Sequence, residues 1–153
     1  MTERLYPLEA TYYRTALLLG LVQGDTVHRW AEQAIDREPE PPAAFFEIVS
    51  VPAGDLTSLR HALWPLVIDP EPPAVLEAMF GLLNADLVAD RRSLEDTLAI
   101  LRQMRSMLRL PSALYAALNA MLVEYAHAHD RQRAVILKWL GNFSRSEFER
   151  LPH

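Results

Sequence analysis

The chain contains no cysteine, and that one absence removes disulfides, thiolate metal sites and cysteine nucleophiles together. It agrees with a reducing compartment, so a cytoplasmic protein is expected. Only five residues are glycine, which makes a tight backbone cradle for phosphate hard to build. No Gly-rich phosphate loop, nucleophile elbow or His-Glu-x-x-His motif occurs. No stretch reaches the ~18 uncharged apolar residues needed to cross a bilayer. The apolar run Ala16 to Val22 follows Glu3 and Glu9 and precedes no small-residue cleavage pattern, so it reads as a buried helix face and not as a signal peptide. Lysine is nearly missing, with Lys138 alone among fourteen arginines. Strand signals are missing too, since every short alternation has an equally good helical reading.

What is present describes an ordinary globular protein. Half of the residues are apolar and 23% are charged, far from a disordered composition. A length of 153 residues suits one domain, 1–153, able to bury roughly two thirds of its unfolded surface.

Periodicity and breakers then divide the chain. Pro7 suits the first turn of a helix carried by Leu8, Tyr12, Ala16 and Leu19 to about Val22. Gly24 is expected to break it and Asp25 to cap a second helix to about Asp36, with Val27, Trp30, Ala31, Ala34 and Ile35 on its inner face. That face should pack on the Leu17 to Leu21 run. Glu38-Pro39-Glu40-Pro41-Pro42 fixes φ at three positions and forms a stiff elbow before a third helix, Ala43 to about Val49. Asp55 caps a fourth, with Leu56, Leu59, Leu63, Leu66 and Val67 inward and Trp64 nearby. Asp69-Pro70-Glu71-Pro72-Pro73 is a second elbow.

From Ala74 a fifth helix is apolar on more than one face, which makes it the expected centre of the core. Ser93 with Asp96 opens a sixth, whose inward positions are Leu94, Leu98, Leu101, Met104 and Leu108. Pro111 stops it and starts a seventh through Leu114, Leu118, Met121, Leu122 and Tyr125. An eighth begins near Asp130, faces Val135, Ile136, Trp139 and Leu140 inward, and closes at Gly141-Asn142 as a left-handed cap. Ser144-Arg145-Ser146-Glu147 has the capping-box pattern for a last short turn. The expected fold is therefore all-α, a compact bundle of seven to eight short helices, with stacked helical hairpins of the HEAT type as one arrangement. Glu40-Pro41-Pro42-Ala43 does recur as Glu71-Pro72-Pro73-Ala74, and Asp55-Leu56 and Arg60 meet Asp86-Leu87 and Arg91 at the same 31-residue offset. Proline elbows reused because they end helices well explain that echo equally.

Candidate chemistry is sparse. Glu124, His127, His129 and Asp130 are the densest set of metal-ligand types, but Glu-x-x-His occurs once where a di-iron bundle needs two. No metal and no cofactor is expected, and no catalytic residue is assigned. His28 and Glu32 stand one turn apart, the spacing of a solvated ion pair. His61 lies beside Trp64. Arg102, Arg105 and Arg109 form a stripe after Arg91 and Arg92. Residues 1–90 carry fourteen acids against five arginines, and residues 91–153 ten bases against six acids. The acidic pI of about 5.5 and the lack of interleaved exposed aromatics argue against nucleic acid. The elbows concentrate Asp36, Glu38, Glu40, Asp69 and Glu71, which would form a rigid acidic rim for a basic protein partner if both emerge on one edge. Acidic first turns complementing helix dipoles are the plainer alternative.

Ala16-Leu17-Leu18-Leu19-Gly20-Leu21-Val22, then Val27, Trp30-Ala31-Glu32, Ile35, Pro41-Pro42 and Glu47-Ile48, resemble the opening of a loose group of small bacterial all-helical proteins of unknown function. Some of that group are thought to act as immunity proteins beside secreted polymorphic toxins. The likeness is clearest from Arg14 to about Val67. It implies a helical fold and a protein partner, and it carries over no catalytic residue. The expected function is non-catalytic binding of another protein, immunity-like or antitoxin-like, with a helical-repeat scaffold for peptides as the alternative.

Overall fold

The computed structural model describes residues 6–125, 132–143, 148 and 151. Among them the chain forms α1 (Tyr6–Leu18), α2 (Gly24–Arg37), α3 (Ala43–Ser50), α4 (Leu56–Leu63) running into a 3-10 turn (Trp64–Leu66), α5 (Pro73–Val88), α6 (Leu94–Met107), α7 (Ser112–Glu124) and α8 (Arg133–Phe143). No strand occurs among the described residues, and the all-α expectation is met. The backbone groups into two compact units, Met1–Asp69 with Glu147–His153, and Pro70–Ser146.

In the first unit α2 packs on α3 and α1 on α4. Its core is aromatic. Tyr6 meets Phe45 edge-on at 4.9 Å, Phe45 meets Trp30 at 5.2 Å, and Trp30 meets Tyr13 at 5.1 Å. Tyr12 follows at 5.1 Å from Tyr13 and stacks on Phe148 at 4.6 Å. Tilted and edge contacts of this kind add about 0.5–1.5 kcal/mol each beyond the area buried. Trp30 on α2 is held by partners on two other helices. Tyr13 on α1 and Phe45 on α3 meet its ring at tilted and edge angles, and its indole N–H donates to Glu9 Oε1 at 2.7 Å.

In the second unit α5 packs on α8 and α6 on α7. Here the core is mostly aliphatic, built on Leu76, Met79, Leu83, Leu101, Leu118 and Ile136, with buried Phe80 meeting Trp139 at 5.4 Å and Phe143 at 6.2 Å where α5 packs on α8. As expected, α5 buries more of itself than one face, seven of its sixteen residues.

The two units are built on one plan. Among the described residues Gly20 and Asp90 are those with positive φ, at +72° and +56°, and each follows the end of the first described helix of its unit. Gly20 N–H donates to the Leu17 carbonyl at 3.1 Å and Leu21 N–H to Ala16 at 2.8 Å, while Asp90 N–H donates to Leu87 at 3.2 Å and Arg91 N–H to Asp86 at 2.8 Å. Both sets are the same left-handed termination, in which the two residues past the helix end satisfy carbonyls of its last turn. Buried positions recur at the same spacing: Tyr6, Tyr13, Leu17 and Ala31 in the first unit match Leu76, Leu83, Leu87 and Leu101 in the second. Pro42 and Pro111 cap the third helix of each.

That register, seventy residues in the paired helices, displaces the 31-residue echo as the internal repeat. Asp55 caps α4 by accepting from Ser58 N–H, whereas Asp86 lies inside α5. Residues 41–67 hold two short helices, and residues 72–98 hold one long helix and the start of another. The shared Glu-Pro-Pro-Ala is thus reused chemistry for leaving a turn and entering a helix.

Several expected boundaries move. The break after α1 falls at Gly20, because the left-handed cap needs a residue without a Cβ penalty. Gly24 instead begins α2, buried so closely that an added Cβ would lie 1.8 Å from the Ala53 carbonyl oxygen. Gln23 holds the cap position that Asp25 was expected to fill. Gly141 and Asn142 continue α8 to Phe143 and form no left-handed cap. Leu56 and Val135, expected inward, are exposed. The capping-box pattern Ser144 to Glu147 and the proposed start at Asp130 lie outside the described residues.

Candidate functional site

The first elbow is built from the end of α2 and anchored to α1. Glu38 leaves the helix in an extended conformation, its N–H still donating to the Ala34 carbonyl. Its carboxylate then turns toward the body and accepts from Tyr6 Oη at 2.8 Å. The Arg37 guanidinium lies 5.8 Å from the Tyr6 ring centre and donates to the same oxygen at 3.5 Å. Burial first, and the Glu38 carboxylate second, push the Tyr6 hydroxyl above its usual range. Because Tyr6 is also wedged on Phe45, the elbow is tied to the core of the unit.

The five predicted rim residues belong to both units, four to the first and one to the second. Asp36 and Glu40 are exposed on the first elbow, and Glu38 between them is half-buried as the anchor. Asp69 is exposed at the end of the first unit, and Glu71, half-buried, belongs to the second.

The arginine stripe is partly occupied with structure. Arg105 donates to Asn119 Oδ1 at 3.0 Å, joining α6 to α7. Arg102 is half-buried and engaged, and Arg109 is exposed beyond the end of α6. Arg91 and Arg92 hold Asp86 at 3.1 and 3.2 Å. Arg133 Nη2 donates to the Leu87 carbonyl and pairs with Asp90 at 2.9 Å, fixing α8 on the turn that ends α5. His28 and Glu32 make no hydrogen bond with each other, and His28 Nε2 is buried without a partner. Glu124 is exposed; His127, His129 and Asp130 lie outside the described residues. Among those described, no three His, Asp or Glu side chains gather as a metal-binding group. No helix among them is long and apolar enough to cross a membrane.

One feature escapes the pattern of sequence signals. Trp64, at the end of α4, is 51% exposed, and the Arg14 guanidinium lies 4.7 Å from its ring centre. The segment after it is tied down where Ile68 N–H donates to Thr11 Oγ1 at 2.8 Å, the Thr11 hydroxyl itself donating to the Pro7 carbonyl. The signal for this lay in spacing. Leu59 and Leu63 set the inward face of α4, and Trp64 stands one residue, about 100°, off it.

The described residues define an all-α protein of two units, each with four α-helices among those residues. Comparison with protein-family models, with curated proteins and with solved structures finds no match.

Proposed function

We propose that the chain is a non-catalytic protein that binds another protein, of the immunity or antitoxin kind, and that the first acidic elbow contacts a basic partner. The observation that carries this reading is the fixed elbow. Three prolines and the Tyr6 to Glu38 hydrogen bond hold Asp36 and Glu40 exposed in one geometry, so little ordering entropy is lost when they meet cationic groups. Neither Asp36 nor Glu40 is paired within the described protein. The resemblance of Arg14 to Val67 to immunity-type proteins supports the finer reading.

The alternative, a repeat scaffold for peptides, leaned on the 31-residue echo, and that echo does not mark equal elements.

The test is affinity capture from the native host with the wild-type chain and with the Asp36→Lys/Glu40→Lys variant side by side. A stoichiometric partner should be retained by the first, weakened at least about tenfold by the second, and released by added salt. The immunity reading adds that this partner, expressed alone, halts growth and that co-expression of the chain restores it. Equal retention by both proteins, or no stoichiometric partner, would reject the elbow as the contact.

A further inference from the structure

The surface around Trp64 has the opposite electrostatic character from the elbow. Trp64 and Ile68 are 51% and 40% exposed, although the helix end and the following segment are pinned by Arg14 and Thr11. Arg14 is half-buried, and its Nε is fully buried and makes no hydrogen bond. No carboxylate pairs with it among the described residues. Arg60, in the last turn of α4, stands four residues, about one helical turn, before Trp64 at the start of the 3-10 turn, and Arg60 likewise has no ion pair among the described residues.

A half-desolvated guanidinium without an anion is costly, and stacking on an indole offsets only part of that cost. A carboxylate arriving beside the accessible side of the guanidinium would neutralise it through charge-assisted hydrogen bonds. Trp and Arg together, pinned before binding and followed by the exposed Ile68, are the residue types that dominate affinity at protein interfaces.

From this geometry we infer that Arg14, Arg60, Trp64 and Ile68 form a docking spot for an acidic segment of a partner protein, one that places an Asp or Glu next to an apolar side chain. The inference rests on the reading of the chain as a protein-binding one, but it concerns a second surface with the reverse charge preference. The carboxylate meets Arg14 and Arg60, and the apolar neighbour lies on the free part of the Trp64 ring and on Ile68.

The experiment titrates the full chain with two synthetic peptides, acetyl-Leu-Asp-Leu-Glu-Leu-amide and its analogue with Lys in place of Asp and Glu, and follows the Trp64 indole N–H by NMR. The acidic peptide should shift that signal with a dissociation constant at least about tenfold below that of the basic one. Trp64→Ala and Arg14→Gln should each abolish the difference, with an unchanged far-UV spectrum and melting transition showing that each variant is folded. Equal response to both peptides, no response to either, or binding that survives Trp64→Ala would overturn the inference. So would a Trp64 signal that shifts with dilution alone, which would make a second copy of the chain the occupant. The Asp36→Lys/Glu40→Lys variant should bind the acidic peptide as the wild type does, so failure of the elbow reading and failure of this one are told apart.

Discussion

Two buried polar side chains on α1 show how much one residue can decide. Tyr12 is 1% exposed, its hydroxyl has no hydrogen-bond partner, and burial pushes its pKa to about 12 from an ordinary 10.0. A folded pKa above the unfolded one means the associated stability is complete below pH 10 and is lost as pH rises toward 12. The loss amounts to about 2–3 kcal/mol over that window. Denaturant midpoints measured from pH 9 to 12 should therefore fall, and Tyr12→Phe should flatten the fall. At neutral pH the same variant should be neutral or slightly stabilising, because it removes a polar group that burial leaves unsatisfied. Glu9, 3% exposed, behaves differently because it accepts from the Trp30 indole. Glu9→Ala should cost about 1–3 kcal/mol in urea unfolding by orphaning that N–H and opening space, and Glu9→Gln should cost clearly less since an amide oxygen can still accept.

At the scale of elements, the helix ends separate what side chains do from what backbone geometry does. Ser93 accepts from Asp96 N–H at 3.0 Å, so Ser93→Ala should lower stability by about 1 kcal/mol. Gly20→Ala meets no atom within 4 Å, but it must adopt φ +72°, a left-handed strain of about 1–2 kcal/mol. Gly24→Ala has ordinary helical φ and faces a collision with the Ala53 carbonyl. It should be the more damaging of the two, as thermal unfolding of both variants would show. Ser93 and Asp55 were legible as caps because a hydroxyl or carboxylate before an apolar periodic run has few other uses. Gly20 and Gly24 were not told apart, since a glycine spared for its backbone angle and one spared for a close neighbour look alike in sequence. The prolines were legible for a similar reason: a missing N–H and a fixed φ act locally whatever surrounds them.

At the scale of the whole molecule, each unit carries its own core, a chain of aromatic rings in one and leucines and methionines around Phe80 in the other. In amide hydrogen exchange on Gly24→Ala, protection should drop at Val27 and Trp30 while Leu83 and Leu101 keep theirs, and a uniform loss would show that the units open together. The seventy-residue register between the units was hidden because so few residues repeat identically across it. Trp30 answers to Ile100 and Glu9 to Met79, pairs that share burial but no chemistry. Conversely, the identical Glu-Pro-Pro-Ala segments precede helices of different length and place in the fold.

Of the candidate surfaces, the sequence located the acidic elbow, but it could not show that Glu38 turns inward to Tyr6 or that Arg105 is spent on Asn119. Both partners are distant in the chain or on another helix. The sequence alone determined that this protein is helical and which face of most helices is buried, since spacing of three and four residues, prolines and capping side chains act within a single turn. Only the tertiary structure decided which helices pair, which charges are consumed as anchors and that Trp64 stays outside under Arg14, because those outcomes depend on contacts between residues many turns apart.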